Sequence, residues 1–242
     1  MPRSISIVIP AYNEEKRLPS TLDRVIEYLH AAQFEFAEVV VVDDGSRDST
    51  VALVHEFSRR NPCVRLLQNP GNRGKGYSVR HGMLEAKGEW SLFTDTDLSA
   101  PIEELGKLLI AVDRSGAAVA IGSRAMDRSL VGVHQPIFRE YAGRFFNLVM
   151  RTITGLQFKD TQCGFKLFRR DAARAIFERQ QLERFGFDAE VLFIGKLLGY
   201  EMVEIPVRWN DVAGSKVGTL AGLDGFLDLL RIRRNHWGGR YS

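Results

Sequence analysis

The sequence predicts an α/β domain with a mostly parallel sheet covered by helices on both faces, followed by an amphipathic helical tail. Three observations carry that prediction. Short, mostly apolar runs alternate with segments of helical spacing as far as residue 124. The runs are mostly apolar, as in strands buried on both faces. Polar residues suited to ligand binding follow the strand ends directly, at the edge where open α/β sheets take their ligands.

Residues 5–9 form the first run, stopped by Pro10. Leu18, Leu22, Val25, Ile26 and Leu29 then recur at helical spacing. Residues 38–42 make a second strand ending at Asp43-Asp44-Gly45-Ser46, and Val51, Val54 and Phe57 mark the next helix. A third strand, 64–67, leads into a glycine-rich loop from Gly71 to Gly76 and a helix carrying Val79, Met83 and Ala86. The fourth strand, 90–93, runs into Thr94-Asp95-Thr96-Asp97, and a helix with Ile102, Leu105, Leu108, Leu109 and Val112 follows. Residues 117–121 form the fifth strand, closed by Gly122-Ser123-Arg124.

The second half has a different texture. Phe138, Tyr141, Phe145, Leu148, Val149 and Ile153 form a long helical stripe, either core or membrane-facing. Residues 160–166 read as a polar interruption, followed by a short helix near 171–177, a core helix over 187–198 and a final strand at 202–207. After Gly214, Leu220, Leu223, Phe226, Leu227 and Leu230 share one helical face, followed by Arg231, Arg233 and Arg234. The expected organisation is one domain over 1–214, with halves 1–124 and 125–214, and a basic tail over 215–242.

Bulk properties narrow the function. The chain has 242 residues, 45% apolar and 26% charged, with a net charge of +3. That balance is ordinary for a globular protein and too weak for a nucleic-acid binder resting on bulk charge. Cys63 and Cys163 form neither a metal spacing nor a disulfide framework. The start, Met1-Pro2-Arg3-Ser4, reads as lacking a signal peptide. No window approaches the roughly 18 consecutive apolar residues of a spanning helix, so membrane contact is expected to be peripheral.

The acid pair Asp95-Thr96-Asp97 is the strongest chemical signal. In extended backbone, residues two apart face the same way, so both carboxylates could converge on one hard cation such as Mg2+ or Mn2+. A solvated turn is the alternative. Asp43 or Asp44 could accept hydrogen bonds from a base or ribose, and Tyr12 could pack on a flat ring. Gly71-Asn72-Arg73-Gly74-Lys75-Gly76 is no Walker loop, because Gly76 replaces the required Ser or Thr. Lys75 near a phosphate remains open, as does an ordinary loop.

Val8-Ile9-Pro10-Ala11-Tyr12-Asn13-Glu14, Val41-Val42-Asp43-Asp44-Gly45-Ser46, Asp95-Thr96-Asp97 and Gly122-Ser123-Arg124 together resemble the family 2 glycosyltransferases of GT-A, Rossmann-like fold. Asn72-Arg73-Gly74-Lys75-Gly76, Asp160-Thr161-Gln162-Cys163-Gly164-Phe165-Lys166 and Gly214-Ser215-Lys216 resemble the branch making dolichyl- or polyprenyl-phosphate glucose. The resemblance implies inverting transfer of glucose from UDP-glucose to a polyprenyl phosphate, with Mg2+ or Mn2+. It leaves open GDP-mannose as donor, another acceptor, or a non-catalytic nucleotide-sugar adaptor at a membrane. By resemblance, Pro10, Tyr12, Glu14 and Asp43 hold the nucleotide, with Asp44, Lys75 and Thr96 in the same crevice. Asp95 faces the donor, and Asp97 holds the metal with Ser99 as a weaker ligand. Arg124 or Lys216 neutralises the leaving diphosphate, and Asp160 positions the acceptor or acts as a base. Arg139, Arg144 and Lys166 hold the acceptor phosphate, unless the two arginines merely line a solvated face. The tail suits an anionic membrane or a dimer contact. The expected location is the cytoplasmic face of a membrane.

Overall fold

The computed structural model describes residues 4–133, 148–210 and 221–242. Strands β1 (Ser4–Ala11), β2 (Phe36–Asp43), β3 (Val64–Gln68), β4 (Trp90–Thr94) and β5 (Val119–Ser123) alternate with helices α1 (Leu18–Ala32), α2 (Thr50–Arg60), α3 (Lys75–Glu85) and α4 (Leu105–Ser115). β6 (Val131–Val133) follows, residues 148–154 are helical (α5), and β7 (Phe165–Arg169) and α6 (Arg170–Arg179) come next. The described chain ends with α7 (Phe187–Leu197), β8 (Met202–Pro206), β9 (Trp209–Asn210) and α8 (Ala221–Trp237).

Seven strands form one sheet in the order β3-β2-β1-β4-β7-β5-β8. Every strand but β7 runs the same way, since β7 is antiparallel to both β4 and β5. Alternation along β1 sends Ile5, Ile7 and Ile9 into a core with Leu22 and Val25 of α1 and Leu105 and Leu108 of α4. Val8 faces the opposite core, made with Val79 and Met83 of α3 and the apolar faces of α6 and α7. Both faces are therefore covered, as the mostly apolar runs require.

Two expectations change. The 160–166 stretch is only partly a polar break, because Phe165–Arg169 is a buried strand in the middle of the sheet. The fifth strand begins two residues later than expected, at Val119. The tail also contributes to the body of the protein: Leu229, Ile232 and Tyr241 are buried in the core that contains α7. Cys63 and Cys163 are free thiols, and burial pushes Cys163 up to about 12.

Candidate active site

β1, β2, β4 and β5 all end at one edge, and the reversed β7 begins there. Thr94 lies opposite Phe165 in the register, so the loop entering β7 lies beside the acids leaving β4. Sequence order thus separates Asp95, Arg124 and Asp160, and topology reunites them.

The loops after β1 and β2 are laced together. Asn13 N donates to Ser46 Oγ at 2.9 Å, Arg47 N to Asn13 Oδ1 at 2.8 Å and Glu14 N to Thr50 Oγ1 at 2.8 Å. Glu14 is buried and takes a two-toothed ion pair from Arg17 at 2.7 and 2.8 Å. Arg17, not among the sequence candidates, also lies in the field of Asp95 and Asp97, and its pKa is raised, chiefly by the Glu14 hydrogen bond. Pro10 lies on β1 and Tyr12 is half-buried just past it.

The two acids after β2 are occupied by backbone. Asp43 accepts from Gly45 N and Ser46 N, both at 3.2 Å, and so turns the chain out of the strand. Asp44 accepts from Asn69 Nδ2, Arg73 N and Gly74 N at 2.8–2.9 Å. Its carboxylate holds the glycine-rich loop in place.

The acid pair itself differs from the extended geometry expected. β4 stops at Thr94, and Leu98 N donates to Asp95 O at 3.1 Å, closing a turn. Leu98 adopts φ 45°, the left-handed region that a leucine rarely enters. Asp95 and Asp97 are half-buried. Thr96 is buried and donates to Pro10 O at 2.7 Å, so it fastens the turn to β1. Ser99 is buried, and its N–H donates to Asp97 Oδ1 at 2.9 Å. Lys75, the first residue of α3, places Nζ 2.5 Å from Asp95 Oδ1. Burial opposes its charge, but Asp95 and Asp188 outweigh that and raise its pKa.

On the other side of β7, Arg124 grips Asp160 at 2.6 and 2.8 Å and stacks over the Trp209 ring at 4.8 Å. Burial pushes Asp160 up, yet the guanidinium charge and hydrogen bonds prevail and keep its carboxyl below the usual range. Burial likewise opposes the Arg124 charge, and Asp160 raises its pKa regardless. Asp160 N and Lys159 N donate to Glu204 of β8 at 2.8–3.0 Å, fixing the loop. Ser123 Oγ, Thr161 Oγ1 and Trp209 Nε1 are buried nearby and have no hydrogen-bond partner among the described residues.

Lys166 is not an acceptor-facing residue here. It is fully buried, pairs with Asp188 of α7, and donates to Cys163 O at 2.7 Å. This corrects its assignment to an acceptor phosphate: the charge is spent inside the core. Asp188 escaped the sequence reading; two acids in the apolar stretch Phe187-Asp188-Ala189-Glu190-Val191 were the available signal. Arg139, Arg144 and Lys216 lie outside the described residues.

The donor set suits a hard divalent cation: two half-exposed carboxylates on one turn, already neighbouring a cation in Lys75. Among the described residues, no group of three or more His, Cys, Asp or Glu side chains is arranged to hold a metal. A cation at Asp95 and Asp97 would therefore complete its shell with ligand or water oxygens.

The sheet thus gathers at one edge an acid turn on one side of β7 and a fixed arginine–carboxylate pair on the other. Residues 6–177 match the model of glycosyl transferase family 2, and the chain belongs to that family. It is thus a glycosyltransferase. Over 246 residues it is 38% identical to a dolichyl-phosphate beta-glucosyltransferase of Trichomonas vaginalis, covering 96% of this chain and 75% of that one. The Homo sapiens dolichyl-phosphate beta-glucosyltransferase is 34% identical over 252 residues, covering 99% and 78%. Among solved structures, glucosyl-3-phosphoglycerate synthase from Mycobacterium tuberculosis, in complex with Mn2+, UDP-glucose and phosphoglyceric acid, superposes with a TM-score of 0.65 at 18% identity. That match covers 95% of this chain and 79% of that one, and it shows the shared GT-A fold.

Proposed function

We propose that the chain transfers glucose from UDP-glucose to a polyprenyl phosphate of the dolichyl type, inverting the anomeric centre from α to β. The observation that carries the reading is the Asp95–Asp97 turn held by Lys75 on one side of β7, opposite Arg124–Asp160 on the other, in a chain whose relatives are named for this transfer.

In the reaction, a phosphate oxygen of the acceptor forms a bond to C1 of glucose while the bond from C1 to the diphosphate breaks and UDP leaves. A phosphate monoester has a second pKa of about 6, so near neutrality the acceptor is largely dianionic and needs little deprotonation. Asp160 therefore serves by holding Arg124, which supplies fixed positive charge to oxyanions in the crevice. Pro10, Tyr12, Glu14 and Asp43 frame the nucleotide pocket, and Lys75 reaches the donor beside Asp95. Asp95 and Asp97, with Ser99 alongside, would hold Mg2+ or Mn2+. Such an ion, when bound, supplies charge neutralisation to the departing diphosphate.

Membrane contact is part of the proposal. Among the described residues, no helix is long and apolar enough to cross a bilayer. On α8, Leu227, Leu230 and Trp237 are 51%, 60% and 75% exposed. Leu227 and Leu230 line an open groove of about 230 Å³ with Arg231 and Arg234. From residue 229 to the end there are four arginines and no acid. An apolar stripe edged by arginine fits the headgroup region of an anionic membrane, where a lipid-borne acceptor resides. The cytoplasmic face is the proposed side.

The test is transfer of radiolabelled sugar from UDP-glucose, and in parallel GDP-mannose, to polyprenyl phosphate with Mn2+ or EDTA. Asp97→Ala is expected to fold normally and to lose at least about a hundredfold in transfer. Wild-type-like turnover by that variant, or preference for GDP-mannose, would overturn the assignment.

A further inference from the structure

We propose that Glu190 is a positioning residue for the donor site, carrying the docking of the C-terminal helix to Lys75 through residues 180–184. The inference rests on the reading that Lys75 faces the donor.

Glu190 is fully buried on α7, beside Val191, Leu192 and Phe193. Its carboxylate accepts from the Tyr241 hydroxyl at 2.6 Å, Leu182 N at 2.8 Å and Gln181 N at 3.1 Å. Among the described residues no cation pairs with it, so these neutral donors alone offset the cost of burying the acid. The arrangement joins three parts of the chain at one side chain: α7, the chain's last residues and the 180–184 segment.

That segment presses on the first turn of α3. Tyr77 N donates to Glu183 O at 3.0 Å, Gln180 Nε2 donates to Gly76 O at 2.9 Å, and Arg73 pairs with Glu183. A Cβ at Gly74 would lie 2.6 Å from Glu183 O, and one at Gly76 would lie 2.7 Å from Leu182 O. Gly74 also adopts φ 111°, which only glycine takes readily. Lys75 sits between these two glycines with its ammonium on Asp95. A shift in 180–184 therefore has no slack to absorb it before it reaches the lysine.

Tyr241 is held in turn by α8. Leu229 and Ile232 pack with α7 in one core, and the Phe193 ring meets His236 and Tyr241 edge-on at 5.4 and 6.2 Å. The helix that presents leucine, tryptophan and arginine outward thus holds, on its inner side, the hydroxyl that fixes Glu190. Seating of the tail and geometry of the donor site are mechanically one system.

The experiment combines donor kinetics with amide exchange read by mass spectrometry on the full chain. Tyr241→Phe keeps the ring and deletes one hydrogen bond; the KM for UDP-glucose should rise about fivefold with kcat within about twofold. Exchange should quicken in residues 71–77 as well as 180–184. Glu190→Gln retains an acceptor for both amides and should stay within about twofold of wild type, whereas Glu190→Ala should raise KM about tenfold or more. If Glu190→Ala fails to fold, Tyr241→Phe and Glu190→Gln decide the matter. Faster exchange confined to the tail and 180–184, with 71–77 protected and KM unchanged, overturns the proposal. Lys75→Ala checks the donor assignment separately: an unchanged KM there refutes that assignment, while the coupling from Tyr241 to residues 71–77 is judged on the amides alone.

Discussion

Gly164→Ala should disable the acid turn without touching any charged residue. A methyl group at position 164 would lie 2.6 Å from Asp95 Cγ and 2.8 Å from Oδ1, with Oδ2 nearer still. Ordinary contact begins at 3.4 Å, so the carboxylate must retreat by about 0.8 Å or more or swing away. Gly164 is absent from the positive-φ glycines, so alanine meets no backbone strain there and the clash with Asp95 is the whole perturbation. Retreat breaks the 2.5 Å Lys75 contact and misplaces an oxygen that the proposed function sets against the donor. A displacement near 1 Å at a reacting centre costs about a hundredfold in rate, and that is the expected fall in kcat/KM for UDP-glucose. The assay is a double-mutant cycle with Asp95→Ala, reading both transfer and thermal midpoint. In the Asp95→Ala background the added methyl should no longer destabilise, because nothing remains to collide with it. Transfer within about threefold of wild type in Gly164→Ala, or an equal loss of midpoint in both backgrounds, would refute the steric argument.

Two further predictions concern stability and the membrane. Burial, with Asp228 adding like charge, pushes Glu190 up to about 7 despite its three hydrogen bonds. The folded chain then binds this proton more tightly than the unfolded one. The stabilisation is complete below the unfolded pKa near 4.5 and is lost as pH rises through about 7, a swing on the order of 3 kcal/mol. Denaturant melts across that range should show stability falling with pH in wild type and flattened in Glu190→Gln; equal slopes would refute the linkage. Replacing Arg233 and Arg234 with alanine removes about 2 kcal/mol of attraction to an anionic surface, so sedimentation with phosphatidylserine vesicles should weaken about thirtyfold. Equal binding of wild type to neutral vesicles would count against an electrostatic role.

What could be read in the chain followed from local pattern. The mostly apolar runs of β1, β2 and β4 are buried on both faces, and the polar residues after them do gather at one edge, as the alternation of strands and helices requires. What could not be read depends on partners remote in sequence. Lys166 looks like a polar break, but Asp188, brought in by α7, neutralises it and lets β7 run through the middle of the sheet. Asp44 takes donors from residues 69–74, across a loop whose approach no spacing announces. The two-residue spacing of Asp95 and Asp97 suggested an extended strand. Leu98 in the left-handed region turns the chain instead, and no propensity predicts that of leucine. Glu190 could be noticed as an acid among apolar residues, but its anchor, Tyr241, lies at the far end of the chain.

The direction of β7 has an evolutionary consequence. Because β7 begins at the edge where β5 ends, Arg124 just past β5 and Asp160 just ahead of β7 meet there, and their salt bridge clasps two stretches of chain 36 residues apart. On the reading proposed above, residues that bear on the acceptor can change while that clasp and the parallel strands β1, β2 and β4 keep the donor side as it is.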